Sequence, residues 1–223
     1  MLLTRGWLST ATPDFQQALL EAAIFRAASP GAEFMHAGDE RGGLVAIALG
    51  TAELAFRQGH PDTRAVHLCH AGFWAGYKTL LGIPRFISLK ARTDVLWALV
   101  PQHAAERLLA ENPIWWRNIA LMADDLANIG YMATADLTLQ DSEARAVAVM
   151  LRLAGCRHMD PPDISVLELR MSQNDLAAMA TMSRNTFNGI ISRLVEEGYI
   201  ALGYRCIRLL RPDILRAIAS QDE

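Results

Sequence analysis

The stretch from Met171 to Val195 constrains this chain most, because it predicts two short helices separated by a tight turn. Ser172 is followed three residues later by Asp175, an arrangement typical of a helix N-terminus that a serine side chain caps. After Thr181-Met182, Ser183 is placed to cap a second helix. The apolar residues of that helix lie at i, i+3, i+4, i+7 and i+8, which predicts one buried stripe: Phe187, Ile190, Ile191, Leu194 and Val195.

The opposite face of the second helix is polar, and a predicted hairpin follows it. At about 100° per residue this face presents Asn185, Asn188, Gly189, Ser192 and Glu196. The helix is predicted to end at residues 197–198, and residues 199–209 predict two short strands. Helix, turn, helix and hairpin together predict a winged helix-turn-helix.

In such a motif the second helix enters the major groove of DNA with its N-terminal residues at the base edges. Arg184 is placed to pair with guanine, and Asn185 or Asn188 with adenine. Side chains at the helix N-termini are expected to donate to phosphates. The predicted DNA-binding residues are Ser172, Gln173, Ser183, Arg184, Asn185, Thr186, Asn188, Ser192, Arg193 and Arg205. The alternative is a small helical domain whose polar face is only solvated.

A long helix is predicted upstream of this motif. Pro113 sits where a first-turn proline belongs, and residues 114–135 contain no other proline. Apolar residues recur along it every three or four positions: Trp115, Ile119, Met122, Leu126, Ile129 and Ala133. Either its own domain or the same helix of a second copy could cover this side, and the second alternative makes these six residues a dimer interface.

The first hundred residues change character every six to eight positions. Residues 44–49 form a short apolar run next to glycine-containing segments, and residues 51–57, 63–69, 86–90 and 94–99 form further short runs. Short strands with glycine turns at this spacing predict a small β-barrel or sandwich. Ahead of them, residues 14–28 carry apolar side chains at near-helical spacing and predict a leading helix.

Composition narrows the class of protein. With 52% hydrophobic and 20% charged residues, the 223-residue chain predicts a folded protein of one large or two small domains. The longest uncharged stretch, residues 65–77, is shorter than the roughly 20 apolar residues of a membrane-spanning helix, so no membrane association is expected. The first residues do not resemble a secretory signal, so we expect a cytoplasmic protein. Because the net charge is −3, DNA binding would depend on a local patch.

Over about residues 14–211 the chain resembles the catabolite-activator (Crp/Fnr) family of bacterial transcription regulators. The resemblance is carried by the glycine turns of residues 38–50, by Ala71-Gly72-Phe73-Trp74-Ala75-Gly76 and by Asn112-Pro113 at the start of the long helix. Ser183-Arg184-Asn185-Thr186 and the segment of residues 194–200 are its most specific parts. It implies an α+β fold with an N-terminal cyclic-nucleotide-binding-like β-roll, a long dimerisation helix and a C-terminal winged helix-turn-helix.

The resemblance also implies an organisation and partners. The expected parts are a sensor domain at residues 1–112, a dimerisation helix and linker at 113–137 and a DNA-binding domain at 138–223. The expected partners are double-stranded DNA with a palindromic operator, a second copy of the chain, and RNA polymerase. Asn185 stands where many members have glutamate, and Gly189 where they have a later arginine, so the preferred operator is expected to differ from the usual one.

The sensor segment departs from the members that bind cyclic AMP. Those members use a glutamate after the Gly-x-x-Gly segment and an Arg-Ser pair before the next strand, and here these positions hold Tyr77 and Arg85-Phe86. The predicted effector pocket comprises Gly76, Tyr77, Arg85 and Phe86, although Arg85 alone is also typical of a surface arginine. We expect no cofactor, no cyclic AMP binding of the usual kind, and an unidentified effector or none. The alternatives are a pocket filled by Tyr77 and Phe86, or a cyclic-nucleotide-responsive regulator.

An enzyme of the cupin type with a helical appendage is the competing class. That chemistry requires a cluster such as His-x-His with a following glutamate to ligate a metal. The six histidines of this chain form no such triplet, so no metal site and no catalytic residue are predicted.

Overall fold

The computed structural model describes residues 1–56, 65–158, 167–204 and 206–220. It divides into two compact units, Met1–Asn128 and Ile129–Glu223. The boundary falls inside helix α3 (Trp116–Thr138), the long helix to which the sequence analysis gave a segment of its own. No helix in the described part of the chain is long and apolar enough to cross a membrane.

The first unit is a two-sheet β-roll preceded and followed by helices. Helix α1 (Pro13–Glu21) comes before the strands, and α2 (Gln102–Glu111), a 3-10 turn at Pro113–Trp115 and α3 come after them. One sheet has the order β1-β8-β3-β6 and the other β2-β7-β4-β5, with antiparallel pairing. The strands are β1 (Ile24–Ala28), β2 (Glu33–Met35), β3 (Gly43–Leu49), β4 (Thr51–Phe56), β5 (Ala65–His70), β6 (Trp74–Ala75), β7 (Ile87–Ala91) and β8 (Val95–Pro101). The predicted β-roll is confirmed.

Strand β3 is buried on both of its faces. Leu44, Ala46 and Ala48 pack in one apolar cluster with residues of α1, α2 and α3. Val45 and Ile47 pack in a second cluster with residues of β4 and β7 from the other sheet. A strand with two buried faces reads as a continuous apolar run instead of an alternating one, which is why this segment is recognisable in the sequence.

The leading helix is shorter than the sequence spacing predicts. Helix α1 ends at Glu21, and residues 24–28 form β1, which pairs with β8 in the register Ile24 opposite Leu99. Phe25, counted among the apolar positions of the predicted helix, is 49% exposed in this strand. Because β1 is held by a strand some seventy residues later in the chain, local spacing alone could not distinguish it from helix.

The assignment of Ile119 and Met122 to a dimer interface is wrong. Their side chains are only 3% and 1% exposed and belong to the apolar cluster that contains Trp7 and residues of α1 and α2. Trp115 packs against the same cluster, and Leu126 against the cluster between the two sheets. The first half of α3 is therefore covered by its own domain. The apolar side that the helical spacing identifies packs against other residues of the first unit.

The second unit contains the end of α3 and a small three-stranded sheet surrounded by helices. Its elements are α4 (Ser142–Leu153), β9 (Leu167–Leu169), α5 (Gln173–Met179), α6 (Arg184–Glu196), β10 (Ile200–Gly203), β11 (Cys206–Leu209) and α7 (Pro212–Ala219). The sheet order is β10-β11-β9, so the predicted hairpin gains a third strand that the sequence analysis did not identify. Ile129 and Ala133 are half-buried here, and their place in a dimer interface stays a prediction.

A buried ion pair joins the end of α3 to α4. Asp136 is 3% exposed and Arg152 is 5% exposed. Arg152 Nε donates to Asp136 Oδ2 at 2.8 Å, and Arg157 Nε donates to Oδ1 at 3.1 Å. Removing one partner of such a pair leaves a desolvated charge without compensation, which costs far more than the pair itself contributes.

We therefore expect Asp136→Asn to lower the free energy of unfolding by about 3–5 kcal/mol. Urea denaturation of the full chain, followed by circular dichroism, measures the change. Asp213→Asn is the matched control, because it removes an exposed carboxylate from its pair with Arg211 and should leave the midpoint unchanged. Equal midpoints for the wild type and Asp136→Asn would contradict this role for the buried pair.

Candidate nucleic-acid interface

Serine side chains begin both helices of the predicted helix-turn-helix. Ser172 Oγ accepts a hydrogen bond from the backbone N–H of Asp175 at 3.1 Å, and Ser183 Oγ accepts one from Thr186 at 3.1 Å. The hydroxyls of Ser183 and Thr186 also lie 2.8 Å apart. Both predicted caps are confirmed, and both serines are therefore occupied in shaping the helix ends at which we predicted phosphate contacts.

The turn between α5 and α6 is held by α4. Thr181 adopts a positive φ of 51°, an unusual conformation for a non-glycine residue. Arg145 Nε of α4 donates to the carbonyl of Ala180 at 3.1 Å, and the same guanidinium donates to the carbonyl of Leu139 before α4. Arg145 thus connects the segment after α3 to the turn that positions α6.

Helix α6 has one buried and one exposed face. Phe187, Ile190, Ile191 and Leu194 are at most 8% exposed, as the predicted stripe requires. Val195, the fifth residue of that stripe, is instead 36% exposed at its edge. On the other side Asn185, Thr186, Gly189 and Ser192 are exposed, so α6 presents a polar surface to solvent along its length.

The two predicted base-reading residues at the start of α6 are available for contact. Arg184 and Asn185 are exposed, and within the described residues the Arg184 side chain has no ion-pair or hydrogen-bond partner. Asn188 differs, because it is half-buried and its Oδ1 is buried without a hydrogen-bond partner among the residues described. The N-terminal end of α6 therefore presents Arg184 and Asn185 to solvent.

Of the remaining predicted DNA-binding residues, Ser183, Thr186 and Ser192 are exposed, whereas others are paired or half-buried. Arg193, on the flank of α6, forms an ion pair with Glu143 of α4, and this hydrogen bond raises the pKa of the guanidinium further. Ser172 and Gln173 are half-buried at the start of α5. Arg205, at the hairpin, lies outside the described residues.

A carboxylate that the sequence analysis did not single out organises the base of the wing. Glu168 of β9 pairs through Oε2 with Arg170 at 3.2 Å and through Oε1 with Arg208 of β11 at 3.1 Å. The pairing of β9 with β11 places Glu168 opposite Arg208. This contact was missed because β9 has three residues and no local signal beyond the alternation Leu167-Glu168-Leu169.

In the first unit, Arg85 is a buried residue rather than a surface arginine. It is 7% exposed, and one guanidinium nitrogen donates to the carbonyl of Gly43 at 2.8 Å. The other terminal nitrogen lies 3.6 Å from Asp39 Oδ2. Burial lowers the pKa of Arg85, and the charge of Asp39 acts in the opposite direction.

Gly76 and Arg85 both lie close to Gly43, the first residue of β3. Its φ is +103°, and a Cβ there would fall 2.3 Å from the carbonyl oxygen of Gly43. The buried hydroxyl of Thr79 donates to the Gly76 carbonyl at 3.0 Å and accepts from the Gly43 N–H at 3.2 Å. Gln102 Nε2 also donates to the Thr79 carbonyl. Thr79 and Gln102 were not predicted; the glycine pair at residues 42–43 is the sequence signal for this close packing.

The two aromatic residues of the predicted effector pocket do not join this cluster. Tyr77 is partly buried against the apolar cluster beneath β3. Phe86 is 52% exposed, stacks on Phe56 with ring centroids 5.3 Å apart, and lies 4.4 Å from Lys78 Nζ. The ring of Phe86 therefore packs at the surface, which does not favour the alternative of a pocket filled by Tyr77 and Phe86.

Comparison with known proteins identifies the helix-turn-helix part. Residues 144–218 match the model of the Crp-like helix-turn-helix domain. The HTH-type transcriptional regulator Cmr of Mycobacterium tuberculosis is 27% identical over 222 residues, covering 96% of this chain and 84% of that protein. The transcriptional regulator SdrP of Thermus thermophilus is 27% identical over 154 residues, covering 69% of this chain and 72% of that protein.

The fold of this chain was also compared with solved structures. The crystal structure of a CRP/FNR-family transcriptional regulator from Thermus thermophilus matches with a TM-score of 0.67 at 22% identity, over 90% of this chain and 100% of that chain. The similar proteins are named as transcriptional regulators, so the comparisons favour a regulator over the cupin-type enzyme. Residues 144–218 are thus similar to a Crp-like helix-turn-helix domain, and most of the chain is similar to proteins that are transcriptional regulators.

Proposed function

We propose that this regulator binds a palindromic operator as a homodimer in the cytoplasm, where it also contacts RNA polymerase. The observation that carries the proposal is the open N-terminal end of α6, where Arg184 and Asn185 are exposed beside the Ser183 cap. In a helix-turn-helix this end of the second helix meets the base edges. Two copies related by a two-fold axis would place two such ends on the two halves of a palindrome.

Base reading is assigned to Arg184 first. Its guanidinium carries two parallel donors that match guanine O6 and N7, and no described residue occupies them. The amide of Asn185 can both donate to and accept from adenine, which a glutamate at this position could not do. The nearby arginine of the same helix, Arg193, is held at the flank by Glu143 and is left to phosphate contacts.

Dimerisation is assigned to the side of α3 opposite to its buried residues. Leu121 and Tyr131 are 42% and 70% exposed although they are large and apolar in character. They belong to an exposed series with the spacing of a coiled-coil seam: Leu121, Asp124, Asn128, Tyr131 and Ala135. A second copy of α3 would cover this series, with the paired asparagines fixing the register.

The sensor unit is assigned no cyclic AMP site of the usual kind. The one surviving polar anchor, Arg85, already donates to Gly43 and faces Asp39. A nucleotide phosphate would have to replace both partners, and Tyr77 supplies no carboxylate for the ribose. We propose that Arg85 is a structural residue and that the regulator responds to another effector or to none.

Arg184→Ala is expected to lower operator affinity about 30-fold or more, because a dimer loses two bidentate arginine–guanine pairs and each contributes about 1–3 kcal/mol. The operator is first selected from a random DNA pool by the purified chain at near-physiological salt, and binding is then measured by fluorescence anisotropy. Arg211→Ala removes the same charge from an arginine outside α6 and should keep the sequence preference. Unchanged preference at every operator position in Arg184→Ala would refute the assignment.

Tyr131→Asp is expected to raise the dimer dissociation constant roughly 100-fold or more, since two apolar contacts are lost per dimer and each contributes about 1.5–3 kcal/mol. Sedimentation equilibrium over a concentration series measures it. Leu210→Asp changes another exposed apolar side chain away from α3 and should leave the dimer intact. A fully dimeric Tyr131→Asp protein would exclude this face.

Cyclic AMP at about 1 mM is expected to leave both the thermal midpoint and the selected operator unchanged, whereas a ligand at 100 times its Kd would stabilise the fold by about 2.7 kcal/mol. Arg85→Met should lower the midpoint without nucleotide, because the Gly43 carbonyl loses its buried donor, at a cost of about 1–3 kcal/mol. Arg41→Met, at an exposed arginine nearby, should not. A nucleotide-dependent rise in the wild-type midpoint would show that the site accepts cyclic AMP.

A further inference from the structure

The hairpin of β10 and β11 ends in two exposed side chains that are largely apolar. Tyr204 is 94% exposed and Leu202 is 51% exposed. Gly203 pairs with Cys206, so Tyr204 lies in the turn that joins the two strands. Turns of this length favour glycine, asparagine or aspartate, because their backbone requires positive φ angles. The turn itself therefore gives no reason for a tyrosine at this position.

The apolar face of the hairpin continues past the core of the second unit. Ile200 lies opposite Leu209 and Leu202 opposite Ile207, so these four side chains share one face of the sheet. Ile200, Ile207 and Leu209 are at most 4% exposed, whereas Leu202 extends into solvent. At about 3.3 Å per residue, Tyr204 lies roughly 13 Å beyond Ile200 along the strand. Exposed apolar side chains that prolong a core face in this way are typical of a contact surface.

The charge of the hairpin and its attachment to α6 favour DNA as the partner of this surface. Residues 199–209 contain two arginines and no acidic residue, which suits a polyanion. The hairpin begins three residues after the end of α6, and the backbone N–H of Tyr199 donates to the carbonyl of Leu194 at 2.9 Å. When α6 lies in the major groove, the hairpin is therefore carried to the same DNA.

The minor groove is the part of DNA that suits such a tip. It is about 6 Å wide, too narrow for a helix but open to single side chains, and proteins that use it often insert apolar ones. The hydroxyl of Tyr204 can donate to N3 of adenine or O2 of thymine. A G·C pair adds the N2 amino group of guanine, whose donors would be desolvated against Leu202 and the tyrosine ring.

We infer that Leu202 and Tyr204 enter the minor groove beside each half-site and confer a preference for A·T pairs there, outside the bases that α6 reads. This inference rests on the proposed function of the second unit as an operator-binding module. The tip acts on the groove through an apolar contact, whereas Arg184 acts on a base edge through hydrogen bonds. The operator is therefore longer than the segment that α6 alone can cover.

Tyr204→Ala is the first test. The thermal midpoint should stay unchanged, because the side chain packs against little of the chain. Affinity for the selected operator should fall about tenfold or more, since both tips of a dimer lose their contact. Selection from the random DNA pool, repeated with this variant, should no longer return A·T pairs at the flanking positions. Leu202→Ala should weaken the same preference.

Two variants and one altered base serve as controls. Tyr204→Phe keeps the ring and should retain the flanking preference. Leu210→Ala shortens another exposed apolar side chain of the same unit and should change neither affinity nor preference. In an operator with G·C flanks, replacing those guanines by inosine removes the N2 amino group from the minor groove and leaves the major-groove atoms in place. This replacement should restore wild-type binding to the level of the A·T operator.

Wild-type affinity and flanking preference in Tyr204→Ala would overturn the inference. An equal loss of affinity by this variant on operators with A·T and G·C flanks would also overturn it, because it would indicate a phosphate contact. Unchanged operator binding together with lost binding to RNA polymerase would show that the tip meets a protein instead. Failure of the wild type to select any sequence would contradict the proposed function itself.

Discussion

The first unit depends on the burial of β3 from both sides. One face of this strand packs against residues of the flanking helices and the other against the second sheet, so the two apolar clusters share a single backbone. The same strand begins at Gly43, whose carbonyl and amide bind Arg85 and Thr79. Arg85 and Thr79 are therefore attached directly to the strand on which the core is built.

In the second unit, polar contacts of α4 position the reading helix. Arg145 holds the turn before α6, Glu143 holds Arg193 within α6, and Arg152 pairs with Asp136 at the end of α3. Apolar packing under α6 fixes its rotation about its own axis, since Phe187 and Leu194 are fully buried. The direction of α6 and its rotation about its axis together determine which of its residues face outward. The proposed DNA contacts are assigned to these outward-facing residues.

Local features were predictable from the sequence, and features that depend on distant partners were not. The caps at Ser172 and Ser183 act within four residues, and the apolar stripe of α6 needs only helical spacing. Strand β1 was predicted as helix because its partner is β8, far along the chain. Ile119 and Met122 show the same limit, since periodicity identifies a side that must be covered but not what covers it. The sequence identifies Arg85 as a basic residue but not as a buried one, because its burial depends on the fold that brings Gly43 to it.

The ion pairs around the reading helix have a consequence for how the protein searches a genome. Arg170 and Arg208 share Glu168, Arg193 is paired with Glu143, and Arg211 with Asp213. Each internal carboxylate reduces the number of counterions that DNA of arbitrary sequence can release on contact. Residence on such DNA is then brief, and the proposed DNA-binding dimer spends less of its time on competing sites. Selectivity in the cell would thus owe as much to weak attachment elsewhere as to strong attachment at the operator.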